Sequence, residues 1–302
     1  MPACPLCQQP QPSLTWRKNG HDLYLCPGCD VIFVHPQPSR QDLAALYSGS
    51  YHGWMEKWAQ DAGSLTRLQR AELRKLTIKA HACLDLLKAQ RPSPGRILDV
   101  GCSGGFFLKA AQEAGWRVEG VEMNPGTAAV ARHILGAPVH NLPLEQCPLE
   151  EEAFDALTAW DVIEHLADPR ALLQAAWRAL KPGGLLGLST PNHRGLFPRL
   201  SFWAAPLAHS WPHPTPPWHL FQFSLASLEA VLHQQGFRLL RVKHAIIDLE
   251  EGFGYLRHRF TSPKRLAYTL ALGWSALLGP LLRRGDMVFV VATKTDSGQP
   301  LS

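Results

Sequence analysis

The stretch Ile97-Leu-Asp-Val-Gly-Cys-Ser-Gly-Gly105 constrains the fold more than any other, because a short apolar run breaks into a glycine turn that opens onto the helical pattern Phe106-Phe-Leu-Lys109. Glycines admit positive φ and let a backbone approach a ligand closely, and a helix amino terminus offers unpaired N–H groups to a carboxylate. Around this turn, short apolar runs alternate with helical segments. Arg96–Val100, Val118–Val121, Ala156–Trp160 and Leu185–Leu188 read as strands, and the segments after Gly105, Pro125 and Pro169 read as helices. The alternation predicts an α/β chain built on a parallel, Rossmann-like sheet with helices on both faces. Phe237–His244 and Asp286–Ala292 supply two more strands. Upstream, Leu73, Leu76, Ala80, Cys83, Leu84 and Leu87 form the stripe of an amphipathic helix, which Arg91-Pro-Ser-Pro-Gly95 stops.

A second unit precedes the sheet. Cys4-Pro-Leu-Cys7 and Cys26-Pro-Gly-Cys29 are two C-x2-C pairs with eighteen residues between them, the spacing of a four-thiolate zinc site. Four thiolates leave no open coordination position, so the metal's expected role is structural. The stiff His35-Pro-Gln-Pro38 ends this block. The expected organisation is a zinc ribbon over 1–38, a linker with N-terminal helices over 39–94, and an α/β domain over 95–302. Insertions at about 192–223 and 248–285 should form its lid.

Composition narrows the partners. Thirty Lys and Arg against twenty-five Asp and Glu give a net charge of +5, spread without the basic block expected of a nucleic-acid stripe. The N-terminal MPACPLCQQP lacks a basic stretch followed by an apolar run, so a cytoplasmic chain is expected. There, seven cysteines read as reduced thiols or metal ligands. The segment 266–282 carries no charge but contains Gly and Pro and falls short of the about 20 residues of a spanning helix. It is expected to pack over the active site or to rest peripherally on the inner face of a membrane.

Glu122 stands at the end of the strand after the glycine turn, where a carboxylate can accept from both hydroxyls of a ribose. A dinucleotide fingerprint would place glycines at 101, 103 and 106, whereas Ser103 and Phe106 occupy two of those positions, which disfavours a nicotinamide or flavin dinucleotide.

Taken together, LDVGCSGG (98–105), GVEMNP (120–125), FDALTAWDVIEHLADP (154–169), LKPGGLLGLSTPN (180–192) and WHLFQFSLASLEAVLHQQGF (218–237) resemble the class I S-adenosylmethionine (SAM)-dependent methyltransferases. The N-terminal cysteine block resembles the zinc-ribbon leader of many bacterial members, so the likeness reaches most of the chain. It implies a seven-stranded sheet and SAM as cofactor. Asp99, Gly101, Cys102 and Gly105 would line its methionine end, Glu122 the ribose and Met123 one adenine face; Trp160 and Asp161 would flank the methionine moiety and the acceptor. Ser103 departs from the commoner glycine.

Methyl transfer from an activated sulfonium asks mainly for in-line positioning. If the acceptor must lose a proton, His165 and His219 are the candidate bases, His165 being equally suited to cap the next helix. Asp161, Glu164 and His165 also resemble the cluster that binds a divalent metal in ubiquinone-pathway O-methyltransferases. Phe197, Phe202, Trp203, Trp211 and Trp218 in the first insertion suit a small-molecule, lipid-linked or glycan-precursor acceptor, or else pack the lid onto the sheet. Two other readings are an RNA-modifying methyltransferase and a non-catalytic SAM-binding scaffold. Against the first, the fourth strand exits into Trp160-Asp-Val-Ile-Glu164 rather than an Asn/Asp-Pro-Pro-aromatic motif.

Overall fold

The computed structural model describes residues 2–39, 65–208, 211, 213–246 and 273–295, with 42–43, 55, 59–60 and 63 between them. In the N-terminal block, β1 (Ser13–Lys18), β2 (His21–Leu25) and β3 (Ile32–His35) form an antiparallel meander. Its first turn runs through Asn19 and Gly20, both at positive φ, as a two-residue hairpin loop of matching twist requires. The two C-x2-C knuckles lie before β1 and between β2 and β3.

The chain continues into α1 (Arg67–Lys88), which opens with a capping box between Thr66 and Gln69. Strands and helices then alternate as predicted: β4 (Arg96–Val100), α2 (Phe106–Glu113), β5 (Arg117–Val121), α3 (Pro125–Leu135), β6 (Val139–His140), β7 (Phe154–Trp160), α4 (Pro169–Ala179) and β8 (Leu180–Pro191). Both α3 and α4 start on an Asx cap followed by proline: Asn124 accepts from the Thr127 N–H, and Asp168 from the Arg170 N–H. After β8 come α5 (Leu196–Ala208), β9 (Phe221–Gln222), α6 (Leu225–Gln234), β10 (Phe237–Ala245) and β11 (Met287–Lys294).

The large sheet has seven strands in the order β10-β11-β8-β7-β4-β5-β6. All neighbours are parallel except β11, which runs antiparallel to both β8 and β10. Period-two alternation divides the core. Ile97, Ala156, Leu185 and Val291 pack against α1, α2 and α3, while Leu98, Leu157, Leu186 and Val290 pack toward α4, α6 and the ribbon. The chain winds to one side of β4 through β5 and β6, then crosses back to β7. The switch point therefore lies between the carboxyl ends of β4 and β7, where open α/β sheets bind ligands.

The ribbon does not stand alone. β9, from the insertion at 192–223, pairs with β3 and completes a four-stranded sheet β1-β2-β3-β9. In the second insertion, residues 247–272 lie outside the described set, and 273–281 is helical. The expectation about 266–282 can thus be followed only for its second half. Among the described residues, no helix is long and apolar enough to cross a membrane.

Opposite the switch point, Asp155 holds the base of the sheet together. Its carboxylate, 8% exposed, accepts from Arg91 at 2.8 Å, Lys181 at 2.9 Å and the Arg96 N–H at 2.8 Å. Despite burial, these partners hold its pKa below the usual carboxylate value. Asp155→Ala should lower stability by about 3 kcal/mol, because it strands positive groups around a mostly buried site. The contribution belongs to the ionised carboxylate, so the gap from wild type in urea midpoint should be full at neutral pH and close as pH falls below about 4.

Candidate functional site

Two loops meet at the switch point. The turn 101–105 after β4 carries Gly101, Ser103 and Gly105 at φ +70°, +50° and +84°. A Cβ on Gly101 would come 2.6 Å from Val162 Cγ2 of the facing loop, and one on Gly105 would come 3.1 Å from Leu135 Cδ1 of α3. Glycine here is a packing requirement as well as a conformational one. The Cys102 thiol points back into the sheet, where it fills the space above Gly120: a Cβ on Gly120 would meet its Sγ at 2.7 Å. With its N–H on the Val121 carbonyl and its carbonyl on the Gly105 N–H, Cys102 shapes the turn from beneath.

Two carboxylates line this half. Asp99 is buried, accepts from the Thr158 hydroxyl at 2.6 Å, and is pushed up to about 8 by burial, with the Glu122 charge adding to the shift. Glu122 accepts the Ser103 N–H at 2.9 Å on one oxygen and the Asn124 N–H at 2.8 Å on the other. Burial still raises its pKa. Each oxygen keeps a second lone pair for another donor. Met123 follows, half exposed beside it.

Across the crevice, the loop after β7 begins at Asp161, a non-glycine residue at φ +56°. Its carboxylate is gripped by Lys79 of α1 and by the Ser189 hydroxyl of β8. These contacts hold its pKa below the usual carboxylate value although it is half-buried. Lys79 could not be picked out from its sequence context, since a lysine on an amphipathic helix normally reads as a solvated residue. Glu164 is buried, its Oε2 has no hydrogen-bond partner, and burial and the Asp161 charge raise its pKa far above the ordinary value. His165 Nδ1 lies 2.7 Å from the Trp218 carbonyl. That nitrogen therefore carries the proton, and Nε2 is the one able to take another. The His165 and His219 rings meet edge to face at 4.7 Å. Burial lowers both pKa values, that of His219 to about 3, so both are neutral at pH 7. Glu164, His165 and His219 converge with ligand atoms within 4.8 Å of one another. Among the described residues this group, rather than Asp161 with Glu164 and His165, brings ligand atoms close enough that it could hold a divalent cation.

Trp160 lies apart from this cluster, packed between Phe107 and Phe289 at centroid distances of 5.7 and 6.2 Å. Its Nε1 is buried without a partner. Most of the lid aromatics also pack inward: Trp16, Phe202 and Trp211 make mutual edge contacts that seat the lid on the ribbon, and Phe197 is buried. Trp203 and Trp218 remain exposed.

The ribbon grips the lid through its backbone. Lys18 Nζ donates to the Trp211 and Pro214 carbonyls at 2.8 and 2.6 Å, and the Val34 N–H to the Leu220 carbonyl at 2.9 Å. Leu220 in turn donates to the Glu164 carbonyl at 2.8 Å. Within the ribbon, the Sγ atoms of Cys4, Cys7, Cys26 and Cys29 gather within 4.8 Å, with Cys4–Cys29 at 3.7 Å and Cys7–Cys26 at 3.5 Å. A tetrahedron of Zn–S bonds of about 2.3 Å has edges of about 3.8 Å.

Residues 70–242 match the family described as a methyltransferase domain. Among curated proteins, the chain is 39% identical over 116 residues to a ubiquinone biosynthesis O-methyltransferase of Xanthomonas campestris pv. campestris, a match covering 36% of this chain and 48% of the relative. It is 34% identical over 107 residues to the same-named protein of Haemophilus ducreyi, covering 32% and 45%. The chain thus spans about half the length of these relatives. Among solved structures, the magnesium protoporphyrin IX methyltransferase of Synechocystis PCC 6803 superposes with a TM-score of 0.55 at 13% identity, over 85% of this chain and 100% of that one. A SAM-dependent methyltransferase of Archaeoglobus fulgidus does so with 0.51 at 18% identity, over 80% and 99%. These two share the fold. With the family match covering more than half of its length, the chain belongs to the methyltransferase-domain family.

Proposed function

We propose that this chain transfers a methyl group from SAM to a hydroxyl of a small-molecule acceptor, including lipid-linked or glycan-precursor alcohols. The observation that carries the reading is the pair of carboxylates, buried Asp99 and half-buried Glu122, facing a glycine-walled crevice and raised in pKa by burial. A ligand that brings an ammonium, a sulfonium and two ribose hydroxyls supplies the positive charge and the donors this site lacks. In this reading Glu122 takes the ribose, and Asp99 with the backbone of Gly101, Cys102 and Gly105 borders the methionine end. Met123 covers one adenine face, and Trp160 shapes the crevice wall from below.

When bound, SAM supplies an activated methyl group, so the protein's part is to align the acceptor, exclude water and accept a proton. Lys79 and Ser189 hold Asp161, which fixes the loop carrying His165. The Trp218 carbonyl orients the His165 ring so that Nε2 can take the acceptor's hydroxyl proton. His219, with a pKa near 3, is too weak a base for that task and acts as a neutral neighbour that positions the acceptor. Oxygen is favoured over nitrogen or carbon by this neutral imidazole pair and by the relatives' name as O-methyltransferases. In the ribbon, the four cysteines fit a structural zinc ion, which would hold the two knuckles that anchor the lid.

Calorimetric titration should show SAM binding that Glu122→Ala weakens strongly; no binding to the folded wild type would sink the reading. A cationic ligand prefers ionised Asp99, so affinity should rise with pH up to about 8, by up to about tenfold per pH unit, and then level off. Asp99→Asn should flatten that rise. His165→Asn should lower kcat about a hundredfold while leaving SAM affinity intact. The wild-type kcat/KM should fall as pH drops through a value below the ordinary histidine pKa of 6.5. Activity lost to a mild chelator and restored by an added divalent cation would instead assign Glu164, His165 and His219 to a metal. Cys26→Ser should release zinc, seen by metal analysis, and open 211–223 to proteolysis before the sheet itself is cut.

A further inference from the structure

Beyond the same carboxyl edge of the sheet, but over its other half, lies a cavity of about 260 Å³. It is open to solvent and is bordered by the β8–α5 junction, the start of α6, the end of β10 and the turn before β11. Arg194, Arg199, Arg283, Arg284 and His244 line it, and Asp30 is the one carboxylate among the described lining residues. Asp30 is already committed: Arg194 Nε sits 3.1 Å from both of its oxygens. Among the described residues, no carboxylate pairs with Arg199, Arg283 or Arg284. Three exposed guanidinium groups thus border one small space with no carboxylate of the described residues paired to them, a setting that suits an incoming anion. His244 is held below its ordinary pKa by burial and by the Arg283 charge, and its Nδ1 is buried without a partner. The first-turn N–H groups of Leu225 and Ala226 in α6, which no helical carbonyl can satisfy, border the same cavity.

The surface beside the cavity is apolar. The helix 273–281 buries Ser275 and Ala276 and exposes Trp274, Leu277, Leu278 and Leu281 at the spacing of a single helical face, with Leu281 79% exposed, and Leu282 in the turn that follows is exposed too. The next two residues are Arg283 and Arg284. On α5, Trp203, 76% exposed, lies one turn from Arg199. Each of two helices therefore presents large apolar side chains in line with arginines that enter the cavity. Patches of this kind on a globular chain mark a binding surface, and an apolar stripe ending in a basic cluster complements an anionic bilayer.

We infer that the arginine-lined cavity seats the phosphate of an anionic membrane-lipid headgroup, with the exposed faces of 273–282 and α5 resting in the bilayer surface. The inference does not depend on the identity of the methyl acceptor. The test is co-sedimentation of the full chain with vesicles of phosphatidylcholine alone and of phosphatidylcholine mixed with phosphatidylglycerol. Binding should require the anionic lipid and weaken with salt. Arg283→Glu/Arg284→Glu should reduce it by more than about tenfold, and Leu277→Asp/Leu281→Asp should reduce it comparably, with SAM affinity of every variant at the wild-type value as the check on folding. Absence of binding to anionic vesicles overturns the inference. So does binding of inorganic diphosphate, lost in the double arginine variant, by a protein that ignores vesicles, since the cavity then serves a soluble anion. Self-association that Leu277→Asp/Leu281→Asp abolishes, again without vesicle binding, overturns it in favour of a second copy of the chain.

Discussion

Two residue pairs between β3 and β9, Ile32 with Gln222 and Phe33 with Phe221, decide where the Glu164–His165–His219 side of the crevice sits. They add a strand of the lid to the ribbon's sheet and bury Phe33, Phe221 and Phe223 in one cluster with Val31 and Leu220. Each such side chain contributes about 1.5–3 kcal/mol when fully buried, enough to hold a segment that has little regular structure of its own. From this anchor the geometry follows along the chain: Leu220 is tied to Glu164, Trp218 to His165, and His219 is set against the His165 ring. The orientation of an imidazole at the end of β7 is thus set by a hairpin more than a hundred residues earlier in the sequence.

Both walls of the crevice are built on unfavourable terms. Asp99 is an acid whose folded pKa is raised, so the folded state holds a proton that the unfolded chain releases at about pH 3.9. Stability is therefore full at lower pH and is lost as pH rises toward the folded value of about 8. Asp161 adds backbone strain at positive φ, of the kind that persists only where surrounding contacts over-determine it. Here Lys79 and Ser189 supply those contacts.

Much of this was legible in the sequence because the signals are local. The strands flanking the glycine turn, the helices opened by Asn124-Pro125 and Asp168-Pro169, and the four thiols announce themselves within a few residues, and so do Asp99 and Glu122. What escaped notice depends on distant partners. β6 and β9 are two residues long, too short to show a period, and exist only through their neighbours. Lys79 reaches Asp161 across the tertiary fold. The inward turns of Cys102 and Trp160 depend on the space left by Gly120 and Gly187 on adjacent strands. Sequence leaves the lid aromatics open to two readings, a substrate wall or packing, and only Trp16, on the distant ribbon, turns Phe202 and Trp211 to packing.

The placement of β11 bears on how the chain reaches this state. Among the described residues β10 pairs with β11 alone, and in the sequence β11 comes about forty residues after Ala245. During synthesis, β8 must therefore wait as a bare edge, with β10 unpartnered beside it, until residues 287–294 emerge and insert between them. Unpaired edges are where nascent chains misassociate. The burial of Val288, Val290, Val291 and Ala292 makes this insertion the step that closes the sheet, and its long sequence separation makes it slow. The vectorial order of translation thus leaves the β8–β11–β10 edge as the last of the described strands to pair.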